Sequence, residues 1–238
     1  MTTPGTMLAL GHGYSCDALS RRLVPAGWRV IGTTRSAEKA QALTALGVEP
    51  VIWDGTDMPP LLAAALAEAT HIVASAAPGP DGDPAIGALG DAILARGPAL
   101  AWVGYLSTVG VYGDRQGGWV DETSALNPAT SRGQARVDAE RAWAELAARG
   151  GFPLAIFRLA GIYGPGRGPF AKIRRGTARR IVKPGQVFSR IHVEDIATVL
   201  EASIARPRAG AIYNVCDNEP APPEVVIELD AQQRGGVL

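Results

Sequence analysis

Three places in this 238-residue chain carry residue types at spacings that chemistry can use. The first is Gly11-His12-Gly13-Tyr14-Ser15-Cys16, which follows an apolar run at 7–10 and opens a helical stretch. Gly11 can make a tight turn, Gly13 lets backbone N–H groups approach a diphosphate, and the helix N-terminus adds partial positive charge. Cys16 stands where a third glycine would pack helix on strand, and a small thiol is tolerable there. The competing reading is an ordinary glycine-rich strand-to-helix loop. The second place is Gly32-Thr33-Thr34-Arg35-Ser36, at the end of the next apolar run. It has no acid to accept from ribose hydroxyls. Arg35, with hydroxyls beside it, suits an added phosphate on the adenosine side, unless it is a plain surface residue. Asp54 either accepts from an adenine amino group or caps its own turn. The third place runs from Arg167 to Arg190 and holds eight cations and no acid: Arg167, Lys172, Arg174, Arg175, Arg179, Arg180, Lys183 and Arg190. That charge suits a phosphate-bearing ligand or is a solvated surface.

These residues need strands and helices to position them. Apolar runs at 7–10, 29–32, 50–53, 71–74, 100–106 and 154–159 read as strands. Between them, 16–23, 36–46, 60–69, 84–95 and 131–149 read as helices, with Pro or Gly at several of their ends. Strand and helix alternating in this way means right-handed crossovers and a parallel sheet. A loop rich in Gly and Pro spans 110–130. Past Gly161 the pattern loosens, with a hairpin expected around Pro184-Gly185, a helix at 195–206, a strand at 211–215 and a mobile tail at 232–236. The expected division is a dinucleotide-binding core at 1–160, and a substrate-binding region at 161–238 that sends elements back to the core.

Composition excludes several classes of function. Twenty-three Lys plus Arg balance twenty-three Asp plus Glu, and 47% of residues are hydrophobic, so the chain folds around a sizeable core. Neutrality argues against a dedicated nucleic-acid binder; only the basic stretch keeps that reading open. The most apolar stretch, 61–77, is broken by Glu68, Thr70 and His71 and reads as helix then strand, not a membrane span. Cys16 and Cys216 make neither a disulfide framework nor a metal-ligand spacing, so no metal is expected. With no leader at 1–6, the expected home is the reducing cytoplasm.

Taken in order, Gly11-x-Gly13, Thr34-Arg35-Ser36, Ser107-Thr108 before Val111-Tyr112-Gly113, and Arg190-Ile191-His192-Val193-Glu194-Asp195 resemble the short-chain dehydrogenase/reductase superfamily. The closest branch is its atypical, extended-like one, the NAD-dependent epimerase/dehydratase-like family, over roughly residues 7 to 225. The resemblance implies an α/β Rossmann-type fold, a doubly wound parallel sheet with a small C-terminal substrate-binding region. It also implies a pyridine dinucleotide, NADP favoured over NAD by Arg35. Gly11, Gly13, Tyr14, Ser15, Cys16, Thr34, Arg35, Ser36, Asp54, Ala76 and Arg136 are then the expected cofactor contacts. In the family a Ser or Thr four residues before the Tyr of Val-Tyr-Gly polarises the substrate oxygen; here that is Thr108, with Ser107 beside it.

One departure is decisive. Active members carry Tyr-x-x-x-Lys on the next helix, the ammonium lowering the phenol pKa for proton exchange. This chain has Arg132 and Arg136 at those positions and no Tyr-x-x-x-Lys anywhere. An arginine is no proton donor near neutral pH, although it can hold a phosphate or ribose hydroxyls. Tyr112, in the same loop as Thr108, is the candidate replacement, and Tyr163 in the Gly161–Arg167 segment is another aromatic that can approach the crevice. Arg132, Arg167 and Arg190 are the expected substrate contacts. The expected function is an oxidoreductase or epimerase acting on a hydroxyl- or carbonyl-bearing, phosphate- or nucleotide-linked sugar-like substrate. The alternative is a non-catalytic NADP-binding sensor or regulator. A homodimer through the helix at 131–149 is expected by analogy, and the C-terminus is short for the family.

Overall fold

The computed structural model describes residues 3–168, 171, 174–177, 185–222 and 225. The hairpin expected around Pro184-Gly185, the cations Lys172, Arg179, Arg180 and Lys183, and the tail at 232–236 rest on residues outside that set. Nine strands are described: β1 (Thr6–Leu10), β2 (Arg29–Thr34), β3 (Glu49–Ile52), β4 (His71–Ala74), β5 (Trp102–Thr108), β6 (Leu154–Leu159), β7 (Gly161–Tyr163), β8 (Arg190–His192) and β9 (Ala211–Val215). The helices used below are α1 (Tyr14–Leu23), α2 (Ala37–Ala45), α3 (Pro60–Glu68), α4 (Pro84–Arg96), α5 (Ser131–Gly150) and α6 (Val193–Ala205).

Seven strands form one sheet in the order β3-β2-β1-β4-β5-β6-β9, with every pairing parallel. This is the doubly wound Rossmann-type α/β fold that the sequence implies. Parallel strands buried on both faces must read as near-continuous apolar runs. His71–Ala74 and Leu154–Leu159 do so and are buried throughout. Leu19 and Leu23 of α1 pack with Ile196, Leu200 and Ile204 of α6 on one face. Leu62 and Leu66 of α3, Leu89 and Ile93 of α4, and Trp143 and Leu146 of α5 fill the other.

The caps are chemically explicit. Ser36 Oγ accepts from Lys39 N at the start of α2, Asp83 Oδ1 from Ala85 N and Ile86 N at α4, and Thr130 Oγ1 from Gly133 N at α5. At α1 the cap is Gly13, which has no side chain to offer. Beyond β6 the chain forms the short parallel pair β7–β8, separate from the main sheet, and then returns to it through α6 and β9. No helix among the described residues is long and apolar enough to cross a membrane.

Candidate active site

The strand order reverses between β1 and β4, and ligands bind outside the carboxyl ends of strands at such a point. A cleft of about 700 Å³ opens there, lined by the turn at 11–13, the ends of β2 and β3, and the segment at 75–88. Gly11 has φ +83, and a Cβ on it would lie 2.6 Å from Ala76 N. No other residue fits this junction, because both the backbone twist and the space exclude a side chain. Gly11 N donates to Thr33 Oγ1 over 2.7 Å, and His12 N to Thr33 O over 2.8 Å. The turn is thus held from below by β2. The space beside Gly13 is open: a Cβ there would meet only Gly11 O, at 3.8 Å. An uncapped helix end with room in front of it is what an anion needs.

The His12 ring turns down beneath the cleft. Its Nε2 lies 2.8 Å from Ser20 Oγ and its Nδ1 2.9 Å from Asp17 Oδ1. The second contact lacks the alignment of a hydrogen bond and reads as a close electrostatic contact. Burial works to raise the Asp17 carboxyl, but His12 and Lys39 hold it below its ordinary value. Gly32 makes room for this ring, since a Cβ on it would lie 2.6 Å from His12 Cδ2. Ser15 and Cys16 are buried, and burial pushes the Cys16 thiol up to about 11, so it packs rather than reacts.

At the ends of β2 and β3 the cleft holds Thr34, Arg35 and Asp54. Arg35 is exposed on its rim and makes no hydrogen bond or ion pair among the described residues. Ser36 is occupied with its capping role. Asp54 Oδ1 accepts from Thr56 N (2.9 Å) and Thr56 Oγ1 (2.7 Å), and these bonds hold its carboxyl below the usual range. It caps its turn and lines the cleft as well, so the two readings of Asp54 are compatible.

The other end of the site differs from expectation. Thr108 ends β5 half-buried, its Oγ1 accepting from Gly110 N over 3.1 Å, which leaves the hydroxyl proton free for a ligand. The Ser107 and Tyr112 hydroxyls are both engaged within the protein. Ser107 is buried and donates to Glu140 Oε1 over 2.5 Å. Arg158 of β6 pairs with that carboxylate, Nη2 to Oε2 at 2.8 Å, with both side chains about 95% buried. Arg158 Nη1 donates to the Tyr112 hydroxyl over 2.7 Å, and Tyr112 donates to Asn214 Oδ1 over 2.7 Å. A buried charge is tolerable only when paired and hydrogen-bonded, and these groups satisfy one another.

The arginines divide. Arg136 Nη1 donates to Leu106 O (2.7 Å) and Tyr105 Oη (3.1 Å), so it braces the end of β5. Arg132 is exposed and without a partner among the described residues. Arg190 Nη1 donates to Phe188 O and Ala221 O, over 3.1 and 3.2 Å, tying two segments together. Arg167 lies over the Tyr14 ring. His192 caps α6, its Nδ1 accepting from Glu194 N. Tyr163 packs edge-on against His192.

Sequence reasoning missed Thr33, His12 and Asp83 as parts of the cleft. Asp83 lines it, accepts from Trp143 Nε1 over 3.2 Å, and burial raises its carboxyl. Asp before Pro at the head of a helix was the available signal. A second cavity, about 510 Å³, lies at the C-terminal end of α5 against β9. Its lining is alanine, glycine, proline, phenylalanine, leucine and isoleucine, with no converging polar side chain, so it is not the site.

Residues 88–216 match the model of the NAD dependent epimerase/dehydratase family. The chain is 30% identical over 220 residues to Protein YeeZ of Escherichia coli (strain K12), covering 87% of this chain and 76% of that protein. This chain belongs to the NAD-dependent epimerase/dehydratase family. Among solved structures, a functionally unknown conserved protein from Silicibacter pomeroyi DSS is 55% identical with a TM-score of 0.91, covering 98% of this chain and 80% of that one. A dTDP-glucose 4,6-dehydratase from Bacillus anthracis str. Ames in complex with NAD superposes with a TM-score of 0.82 at 17% identity. That match covers 99% of this chain and 82% of the dehydratase, and it shows the fold alone.

Proposed function

We propose that the cleft binds a pyridine dinucleotide, NADP in preference to NAD, in a protein that acts on a hydroxyl- or carbonyl-bearing, phosphate- or nucleotide-linked sugar-like substrate. The observation that carries this reading is the cleft itself: an α1 N-terminus without a side-chain cap facing open space, with the Arg35 guanidinium on the rim and no partner for it among the described residues. The dinucleotide, when bound, supplies hydride transfer. Backbone N–H groups at 13–15 hold its diphosphate, Arg35 its 2′-phosphate, and the Asp54 carboxylate accepts from the adenine amino group. Thr108 donates to the substrate oxygen. Arg132 supplies a fixed positive charge beside the substrate where relatives have a phenol. The sugar-nucleotide part rests on that dehydratase's name and on the basic residues at 167–190.

A second reading, cofactor binding without turnover, is favoured by one observation: Tyr112, the candidate proton donor, is bound into the buried network. Titration calorimetry with both cofactors tests the shared part. NADP is expected to bind tighter than NAD; no binding of either at millimolar concentration overturns the reading. Absorbance at 340 nm across a panel of sugar nucleotides and carbonyl compounds separates the two versions. One reproducible substrate disposes of the second.

A further inference from the structure

The turn that follows β7 leans on the phosphate turn through one aromatic side chain. Tyr14, the first residue of α1, donates its hydroxyl to Pro165 O over 3.0 Å. The turn closes on two backbone bonds, Gly164 N to Arg167 O (3.1 Å) and Arg167 N to Gly164 O (3.0 Å). Gly164 is required here: its φ is +151, and a Cβ would lie 2.6 Å from the Tyr14 hydroxyl oxygen.

Closure of this turn carries Arg167 back across the aromatic ring. Its guanidinium carbon sits 5.4 Å from the Tyr14 centroid, within the ~6 Å reach of a cation–π contact. Arg167 is exposed, and its side chain forms no hydrogen bond or ion pair among the described residues. Glu194, in the first turn of α6, acts electrostatically on Tyr14 but forms no ion pair with Arg167. The guanidinium is therefore positioned by a ring rather than neutralised by a carboxylate, and its five N–H donors stay available. It is held on the residue next to Gly13, the cap that leaves the α1 N–H groups open.

We propose that Arg167 is a diphosphate clamp of the dinucleotide rather than a substrate contact. It faces the same anion as the α1 N-terminus from the side of the C-terminal region. The inference rests on reading the cleft as a dinucleotide site. It assigns to that site a residue more than 150 positions from Gly11, outside the turn and strand ends that the fold supplies. It also links cofactor binding to the segment at 161–167, which leads into the basic region.

The pattern across two ligands tests it. NADP and NAD share the diphosphate and differ at the 2′-phosphate. Arg167→Met keeps the aliphatic stem on the Tyr14 ring and removes the charge. In calorimetry on the whole protein it is expected to weaken both cofactors by the same factor, about tenfold, as one lost charge-assisted contact does. The NADP preference of the wild type is retained. Arg35→Ala, in contrast, weakens NADP alone. Tyr14→Leu removes the platform and is expected to reproduce the Arg167→Met pattern. Unchanged affinity for both cofactors in Arg167→Met overturns the clamp, and so does a loss confined to NADP. If the wild type binds neither cofactor, the reading of the cleft fails, whatever Arg167 does.

Discussion

The two ends of the candidate site are built on opposite plans. At the β1–β2–β3 end the polar groups turn outward and stay unspent: a helix without a side-chain cap, an Arg35 with no partner among the described residues, and an Asp54 carboxylate held ionised by its own turn. At the β5–β6–α5 end the polar groups turn inward and satisfy one another. Ser107, Glu140, Arg158, Tyr112 and Asn214 form one chain of hydrogen bonds, and Thr108 and Arg132 are left facing out. The first end can bind an anion without rearranging. The second is a brace, its Ser107 and Tyr112 hydroxyls both engaged in hydrogen bonds within the fold.

Breaking the brace gives the largest effect. Arg158→Ala leaves the Glu140 carboxylate buried without its ion-pair partner, held among the described residues by the Ser107 hydroxyl, and chemical denaturation is expected to show a loss of about 3–5 kcal/mol. A loss well under 1 kcal/mol would mean that the network is not the scaffold described. Next is Thr108→Val. If the protein turns over a substrate, kcat is expected to fall by about a hundredfold or more, with the melting temperature little changed. Unchanged kcat removes Thr108 from the chemistry. Arg35→Ala is expected to weaken NADP by roughly 10- to 100-fold, the value of a charge-assisted contact, and to leave NAD alone. An equal loss for both cofactors would place Arg35 elsewhere. Tyr112→Phe removes two buried hydrogen bonds and is expected to cost about 1–3 kcal/mol of stability. Cofactor affinity and any turnover stay intact, and a selective loss of turnover would restore Tyr112 as a catalytic residue.

A further effect belongs to neither end and sets the baseline for pH work. Burial lowers the pKa of His71, at the amino end of the central strand β4, from 6.5 to about 4. The folded protein keeps this ring neutral, while the unfolded chain takes up a proton below about 6.5. Stability therefore falls as pH drops from about 6.5 towards 4 and then levels. Denaturation midpoints at pH 7 and pH 5 check the sign: a protein more stable at pH 5 contradicts it.

What was legible in the sequence follows the same division. Local rules govern the first end. A glycine turn after an apolar run and an arginine at a strand end are neighbours in the chain, so spacing alone brings them together. Strands buried on both faces announce themselves, and 71–74 and 154–159 fall where the apolar runs put them. The second end depends on partners far apart in sequence. Glu140 and Arg158 are charged, and charged residues read as surface. Only the fold shows that they meet at 2.8 Å and are buried together. Ser107 and Tyr112 carry the right chemistry in the right motif, yet which way a hydroxyl points at a strand end is settled by what packs beneath it. The β7–β8 pair escaped for a related reason. Its strands are three residues each and parallel, with no turn between them to signal the pairing. Arg167 was noticed for its charge, and only the closed turn at 164–167 shows that it lies on Tyr14.

A crystal structure of the protein soaked with NADP tests the central claim most directly. The account predicts density for the diphosphate against the backbone of residues 13–15, and for the 2′-phosphate within hydrogen-bond reach of Arg35. Density for the nucleotide anywhere else, or Arg35 turned away from a bound 2′-phosphate, contradicts it.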